Sequence, residues 1–295
     1  MPELPDVELY RTKLGELLMG EPLEAIRLGS PFLLRSVEPA PEAAIGRRIV
    51  GTRRLGKRVV LELEDELYLV FHLMIAGRFR WAKCGAKPPG RIGLAAFDFP
   101  RGTLLLTEAS RRKRASLHLV EGAPALGEHD PGGLEVRDLS LDGFARALRA
   151  ENHTLKRVLT DPRTFSGIGN AYSDEILHAA RLSPVQHSQK LADAEIGRLH
   201  AAAQSVLREW TARLRSEFAE RFPGAGDVTA FRPDFAVHGR HGEPCPDCGN
   251  PVQRIRYADN ETNYCAACQT GGRLLRDRAL SRLLKQDWPR SIDEL

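Results

Sequence analysis

The sequence predicts an α+β chain of more than one domain: an N-terminal β-sandwich with a leading helix, then a helical domain, then a small cysteine-bearing β-hairpin. Three observations predict it. At 295 residues the chain is longer than one domain of ordinary size. Its hydrophobic pattern changes from short β-like runs to helical spacing beyond residue 120. Four of its five cysteines form two closely spaced pairs towards the C-terminus.

Taken in order, the first element is a helix, since Val7, Tyr10, Leu14, Leu17 and Leu18 recur at helical spacing up to Gly20. Pro5, Asp6 and Glu8 suit its first turns, because proline is preorganised for a helix start and acids favour the positive end of the dipole. Helix propensity leaves Pro2 and Glu3 unexplained. From Ile26 to Leu119 the runs "RIVGTRRLG", "RVVLELED", "ELYLVFHLMIAGRFRW", "IGLAAFDF", "TLLLTE" and "SLHLV" read as strands of a two-layer sandwich. The Gly- and Pro-rich stretch Glu121 to Glu135 reads as a linker. Helical spacing then returns in "LDGFARALRAE", "TLKRVLTD", "NAYSDEILHAARL" and the long run from Leu191 to Phe222. A polar loop from Pro223 leads to the cysteines, and the last stretch reads as an amphipathic helix with Leu275, Ala279, Leu283 and Trp288 near one face. The expected domains are residues 1–128, 129–240, 241–272 and a tail at 273–295.

Charged residues at 28% and hydrophobic residues at 42% are the balance of a folded chain, neither disordered nor membrane-embedded. The longest apolar run, Leu67 to Ala76, includes His72 and falls short of the roughly 20 residues that cross a bilayer. Acids at Glu3, Asp6 and Glu8 stand where a secretory signal carries positive charge, so the expected location is the cytoplasm, with the nucleoid, and no membrane partner. The net charge of +4 and pI near 8.9 point only faintly to nucleic acid. Their distribution says more: bases cluster at Gly46 to Arg58 and Ser110 to Ser116. Either cluster alone could be a solvated surface, but four consecutive bases, Arg111 to Arg114, repel one another and are best relieved by an anionic partner.

Cys245 and Cys248, then Cys265 and Cys268 after sixteen residues, have the spacing of a tetrahedral zinc site. Four thiolates leave no position for a catalytic water, so one structural zinc ion should fold the hairpin. Cys84 reads as a small apolar residue. In Gly167, Ile168, Gly169 and Asn170 a turn joins a helix whose first N–H groups could meet a phosphate; a tight turn capped by Asn170 is the plainer reading.

Pro2 has its own chemistry. A small second residue permits removal of the initiator methionine, leaving a secondary amine whose ordinary pKa of about 7.7–8.0 keeps a nucleophilic fraction at cell pH. Its attack on a sugar aldehyde carbon gives an iminium, an electron sink, and Glu3 beside it can move protons. With these pieces together, the chain resembles the formamidopyrimidine-DNA glycosylase and endonuclease VIII family of bifunctional base-excision repair enzymes, from residue 1 to about residue 272. The residues that carry the resemblance are "PELPDVE", "LGKRVVLEL", "HLMIAGR", "LKRVLTDPRTFSGIGNAYSDEIL" and "VHGRHGEPCPDCG" with "TNYCAACQ".

The resemblance implies a helix-two-turn-helix domain and a zinc-finger hairpin, and a monomer acting on DNA that contains a damaged base or abasic site. It makes Pro2 the nucleophile at C1′, Glu3 the proton carrier, and Lys57, at a strand end, a phosphate ligand with Asn170. Lys156 fits the basic position before the two-turn element. Base release followed by β- and δ-elimination would cut the strand, the lesion being flipped out of the stack. Three departures concern the substrate. Ile75, with Met74 adjacent, stands where one branch has the methionine that fills the gap left by the flipped base. Lys113 follows Arg111 and Arg112 where that branch has a wedging phenylalanine. Asn260 replaces a hairpin arginine, leaving Arg254 or Arg256 to reach the phosphates. The loop Pro223 to Pro233 is also shorter than the lid that closes on an oxidised purine. The expected activity is therefore a glycosylase with AP-lyase action on oxidised or ring-opened bases. An enzyme for abasic sites or an unusual lesion is one alternative, and a non-catalytic damage-binding protein is another. The tail beyond Gly272 exceeds the usual family end, as a packed helix or a partner site.

Overall fold

In the computed structural model, which describes residues 1–257, 260–277 and 289–294, the chain starts with helix α1 (Leu4–Leu18). Glu3 is its N-cap and forms a capping box with Asp6, whose Oδ2 accepts the Glu3 N–H at 3.0 Å. Helix formation therefore does use Glu3, contrary to the propensity reading, and it holds that buried side chain at the positive end of the helix dipole.

The face of α1 bearing Val7, Tyr10, Leu14 and Leu18 is fully buried. Glu8 is buried too, as an ion triad: it accepts from Arg11 Nε at 2.8 Å and from Arg54 Nε at 2.9 Å. Burial alone would raise the Glu8 pKa, but the two guanidinium groups outweigh it and hold the carboxyl below its ordinary value of 4.5. A carboxylate depressed in the folded state stabilises fully above its unfolded value and loses that contribution as pH falls through the folded one. Glu8→Ala, which takes one carboxylate partner from the buried Arg54, should cost about 3–5 kcal/mol in denaturant unfolding at pH 7. The difference from wild type should shrink as pH falls from 4.5 through the lowered folded value, where Glu8 in the wild-type triad takes up its proton.

Eight strands follow: β1 (Ala25–Leu28), β2 (Ile49–Leu55), β3 (Arg58–Leu63), β4 (Leu67–His72), β5 (Gly77–Ala82), β6 (Gly93–Phe99), β7 (Gly102–Glu108) and β8 (Ser116–Glu121). They form two antiparallel four-stranded sheets, ordered β1-β6-β7-β5 and β2-β3-β4-β8. Period-two alternation puts Val59, Leu61, Phe71, Leu69, Leu117 and Leu119 on one face, in a common core with Phe79, Phe97 and Leu106 of the other sheet. Edge-on ring contacts of 5.1 Å between Phe71 and Phe79, and 5.2 Å between Tyr10 and Phe79, tie both sheets and α1 together. The run "ELYLVFHLMIAGRFRW", which reads as one strand, is two strands in different sheets. Between them Leu73–Ala76 turn tightly: Met74 is left-handed at φ 51°, and a Cβ on Gly77 would lie 2.2 Å from the Leu73 carbonyl oxygen.

The short helix α2 (Ala123–Gly127) covers the outer face of β3 and β4 through Leu126, within the stretch read as a linker. Helices α3 (Leu141–Arg149), α4 (Leu155–Thr160), α5 (Asn170–Ala179) and α6 (Asp193–Glu217) come next, then the hairpin β9 (Gln253–Tyr257) and β10 (Asn260–Tyr264), and α7 (Ala266–Thr270). The chain divides into two compact units, Met1–Pro131 with Trp210–Ala230, and Gly132–Glu209 with Phe231–Leu295. The first takes residues from the end of α6 that a linear division assigns to the helical domain, because Leu214 and Phe218 pack on Leu9 of α1. Ala279, Leu283 and Trp288, expected on an amphipathic tail helix, lie outside the described residues; Leu275 is buried against the hairpin.

Candidate functional site

In the first unit Glu3 and Lys57 lie within electrostatic reach of the chain start, with Asp6 and Arg78. Pro2 and Glu3 are buried. The terminal amine, carried here by Met1, is held below its ordinary pKa of 8.0 by burial and by the positive charges of Arg78 and Lys57, with Glu3 and Asp6 opposing. Lys57 is not at a strand end as its motif suggested. It is the second residue of the two-residue turn joining β2 to β3, after Gly56 at φ 58°.

Two residues were missed by sequence reasoning. His72, at the end of β4, pairs across the sheet with Arg58. Burial, then Arg58, Lys57 and His118, push its imidazole pKa down to about 4, so it is neutral at cell pH. Arg78 donates to the carbonyls of Gly77 at 2.7 Å and Val228 at 2.6 Å, bracing the turn that carries Met74 and Ile75. Their motif had been noted without a role, and only cross-strand register shows the proximity. Ile75 is 56% exposed at the tip of that turn, an apolar side chain held out into solvent.

The basic loop before β8 is built around Glu108, whose buried carboxylate accepts the N–H groups of Arg114 at 2.9 Å and Ala115 at 3.1 Å. Arg111 and Arg112 remain exposed at its tip. Lys113 instead folds back, its Nζ donating to the Glu108 carbonyl. Cys84 is exposed rather than a small core residue.

In the second unit the two-turn segment leads to α5, whose N-cap is Gly169; Asn170, read as a possible cap, is the first helical residue. Gly167, Ile168 and Gly169 are buried, so the helix start is less open to solvent than the motif suggested, with Asn170 half-exposed. The Asn170 amide donates to the Glu261 carbonyl of the hairpin at 2.9 Å. Lys156, a candidate DNA ligand, is committed internally: its Nζ donates to the Asn170 carbonyl at 2.6 Å and to Asp174 Oδ1 at 2.5 Å. The reason is the fully buried Asp174, which needs a counter-charge. Its other oxygen lies 2.7 Å from His238 Nδ1 and accepts the Asn263 N–H at 3.1 Å, stitching α5 to both sides of the cysteine module. Arg254 faces Glu261 at 3.6 Å, and the Asn260 side chain lies outside the described residues.

The four thiols converge as their spacing predicts. Cys245 and Cys268 sulfurs are 3.9 Å apart, Cys248 and Cys265 3.4 Å, and all four lie within 4.8 Å of one another. Tetrahedral bonds of about 2.3 Å require sulfur separations of about 3.8 Å, so the quartet fits one structural zinc ion. His178 of α5 adds a contact no motif foretold, its Nε2 lying 3.3 Å from Cys245 Sγ.

Glu175 anchors the lead-in to this module by accepting three consecutive backbone N–H groups, Ala236 at 2.7 Å, Val237 at 3.0 Å and His238 at 2.8 Å. Glu175→Ala leaves three donors without their acceptor and should destabilise by about 3–5 kcal/mol. Amide exchange at residues 236–238 should rise well above the change elsewhere; uniform protection would show that the carboxylate is dispensable.

Comparison with known proteins agrees with this anatomy. The formamidopyrimidine-DNA glycosylase N-terminal domain matches residues 1–115, the H2TH domain of the same enzymes residues 131–217, and the zinc finger found in FPG and IleRS residues 242–271. A formamidopyrimidine-DNA glycosylase of Variovorax paradoxus is 32% identical over 273 residues, covering 91% of this chain and 100% of the relative. One from Thermus thermophilus is 34% identical over 283 residues, covering 92% and 100%. The structure of Lactococcus lactis Fpg in complex with abasic-site DNA superposes with a TM-score of 0.80 at 26% identity, covering 91% of this chain and 99% of that one. Sandwich, two-turn helical element and cysteine finger recur in one order over nearly the whole length, and the chain belongs to the formamidopyrimidine-DNA glycosylase family of base-excision repair enzymes.

Proposed function

We propose that the chain excises a damaged base from DNA and then cuts the strand at the abasic site through an imine formed by Pro2. The observation that carries this reading is the chain start, where buried Pro2 adjoins the N-cap Glu3 at a helix N-terminus. With Met1 removed, the Pro2 nitrogen becomes the terminal amine. Its lone pair attacks C1′ as the bond to the base breaks, the base leaving with that electron pair and taking up a proton; the Pro2 nitrogen loses its own proton, and Glu3 delivers a proton to the ring oxygen as the C1′–O bond opens. The resulting iminium draws electrons from C2′ as a proton leaves there, so the C3′–O bond breaks with its electron pair on the phosphate. Loss of the 5′ phosphate by the same electron sink completes δ-elimination.

Lys57 supplies a phosphate contact from its turn, with neutral His72 beside it as a hydrogen-bonding partner; Asn170 is the corresponding contact on α5. Ile75, with Met74, occupies the gap left by the flipped nucleotide, since an exposed apolar tip stacks into bases more readily than it hydrates. In this reading the expected domains divide the work, with chemistry in 1–128 and DNA grip in 129–240 and 241–272. Nucleoid DNA in the cytoplasm is the proposed working place, and a monomer the proposed form.

Lys113 favours a second reading of the substrate. With its amine turned into its own loop, no side chain at that position can wedge beside the opposite base. Oxidised guanine is then not the preferred lesion, and the enzyme favours abasic sites or another damaged base. A panel of lesion-bearing duplexes, scored separately for base release and strand cleavage, tests this. Preference for oxidised guanine opposite cytosine by tenfold or more would overturn it.

A further inference from the structure

The tail beyond the finger is absorbed by none of the roles above. The finger match ends at residue 271, yet the chain continues and returns to the finger. Leu274 N–H donates to the Arg290 carbonyl at 2.9 Å and Ile292 N–H to the Gly272 carbonyl at 2.9 Å, so the two ends of the tail lie side by side. Leu274, Leu275 and Ile292 pack on Tyr264 and Ile255 of the hairpin. Leu275 N–H donates to the Tyr264 hydroxyl at 2.8 Å, and Asp277 Oδ2 accepts the Arg256 N–H at 2.6 Å along the free edge of β9. One backbone donor on that edge is thereby taken, and the tail is tied to both strands of the hairpin.

This anchoring brings Arg273, Arg276 and Arg290 around one open cleft of about 460 Å³, with Leu274 and Leu275 as its floor. All three arginines are exposed, and among the described residues none of their guanidinium groups makes a hydrogen bond or ion pair. The nearby acids accept hydrogen bonds from neutral donors, Asp277 from the Arg256 backbone N–H, Asp293 from the Ser291 hydroxyl at 3.0 Å and Glu294 from the Arg290 backbone N–H at 2.8 Å. The tail from residue 273 to residue 295 holds six bases against four acids, a balance of +2.

We propose that the C-terminal tail is a second phosphate-binding surface for duplex DNA, fixed to the zinc hairpin. It supplies the arginine contacts that the hairpin lacks at Asn260. Three solvated guanidinium groups held around a cleft match backbone phosphates, which arginine meets in bidentate fashion. The proposal rests on the reading of the chain as a DNA-acting enzyme and concerns affinity, not chemistry.

The test measures binding of undamaged duplex by the full-length zinc protein across a salt series. Arg273→Gln, Arg276→Gln and Arg290→Gln combined should reduce the slope of log K against log salt by about 2–3, with a 10- to 100-fold loss of affinity near 0.1 M salt. The corresponding triple lysine variant should retain the slope, since the charge is kept. An unchanged slope in the glutamine variant, at unchanged zinc content, would overturn the proposal. Borohydride trapping of the wild-type enzyme on an abasic duplex separates the two readings. Trapping without a slope change defeats the tail surface alone, whereas a slope change without trapping leaves the tail surface standing and defeats the imine mechanism.

Discussion

Pro2→Gly, compared with wild type after both have lost the initiator methionine, should reduce borohydride crosslinking to an abasic duplex and strand cleavage by at least 10²-fold. Glycine keeps an amine at the same place, so the comparison isolates what proline adds. A pyrrolidine nitrogen condenses to an iminium that is charged at any pH, whereas the imine of a primary amine must first be protonated to draw electrons from C2′. The ring also fixes the backbone that glycine would free, and the buried start depends on that order. Glu3→Gln should separately lower single-turnover rates by about 10²–10⁴-fold while duplex affinity holds, because the amide cannot deliver a proton. Equal crosslinking and cleavage by Pro2→Gly would show that the ring adds nothing, and retention of Met1 by mass spectrometry in active enzyme would sink the mechanism, since an acylated proline has no lone pair to attack with.

Removal of the metal should have the other large effect. A structural zinc site is worth about 10–16 kcal/mol of folding free energy, far more than a hairpin of two five-residue strands can supply by itself. Chelation, or Cys248→Ser, should therefore unfold the finger and abolish DNA binding measured by anisotropy. The consequence reaches α5, because Asn263, His238 and the Glu261 carbonyl are what hold Asp174 and Asn170 in place. Asp174 would keep only Lys156 as a partner. Binding that survives in metal-free protein would show that the finger neither folds through the metal nor contributes to the grip.

Much of the candidate site was legible because its signals are local. A CxxC pair places two thiols in one turn whatever the rest of the chain does, so Cys245, Cys248, Cys265 and Cys268 could be assigned from spacing. The chain start was legible for a similar reason: proline and glutamate at the second and third positions have a chemistry of their own. Where the reading went astray, a long-range partner decided the outcome. Lys156 looks like a free cation in its motif, but a buried carboxylate eighteen residues on claims it. Lys113 looks like part of a basic tip, but its own loop folds it back on the Glu108 carbonyl. The strand of "HLMIAGR" looks continuous because both halves are apolar, and only the left-handed Met74 and crowded Gly77 reveal a change of sheet.

The sequence by itself determined the class of most elements, the zinc quartet, the nucleophile candidate and the family, because periodicity, metal-ligand spacing and an unusual N-terminus are properties of neighbours along the chain. Only the tertiary structure decided which charges are spent and which are available. It buried Glu3 in a capping box, moved Lys57 into a hairpin turn, set His72 beside it, and left Arg273, Arg276 and Arg290 exposed on a tail tied to the hairpin. The physical reason is that a charge's worth depends on what surrounds it in space, and burial and counter-charge come from residues far away in sequence.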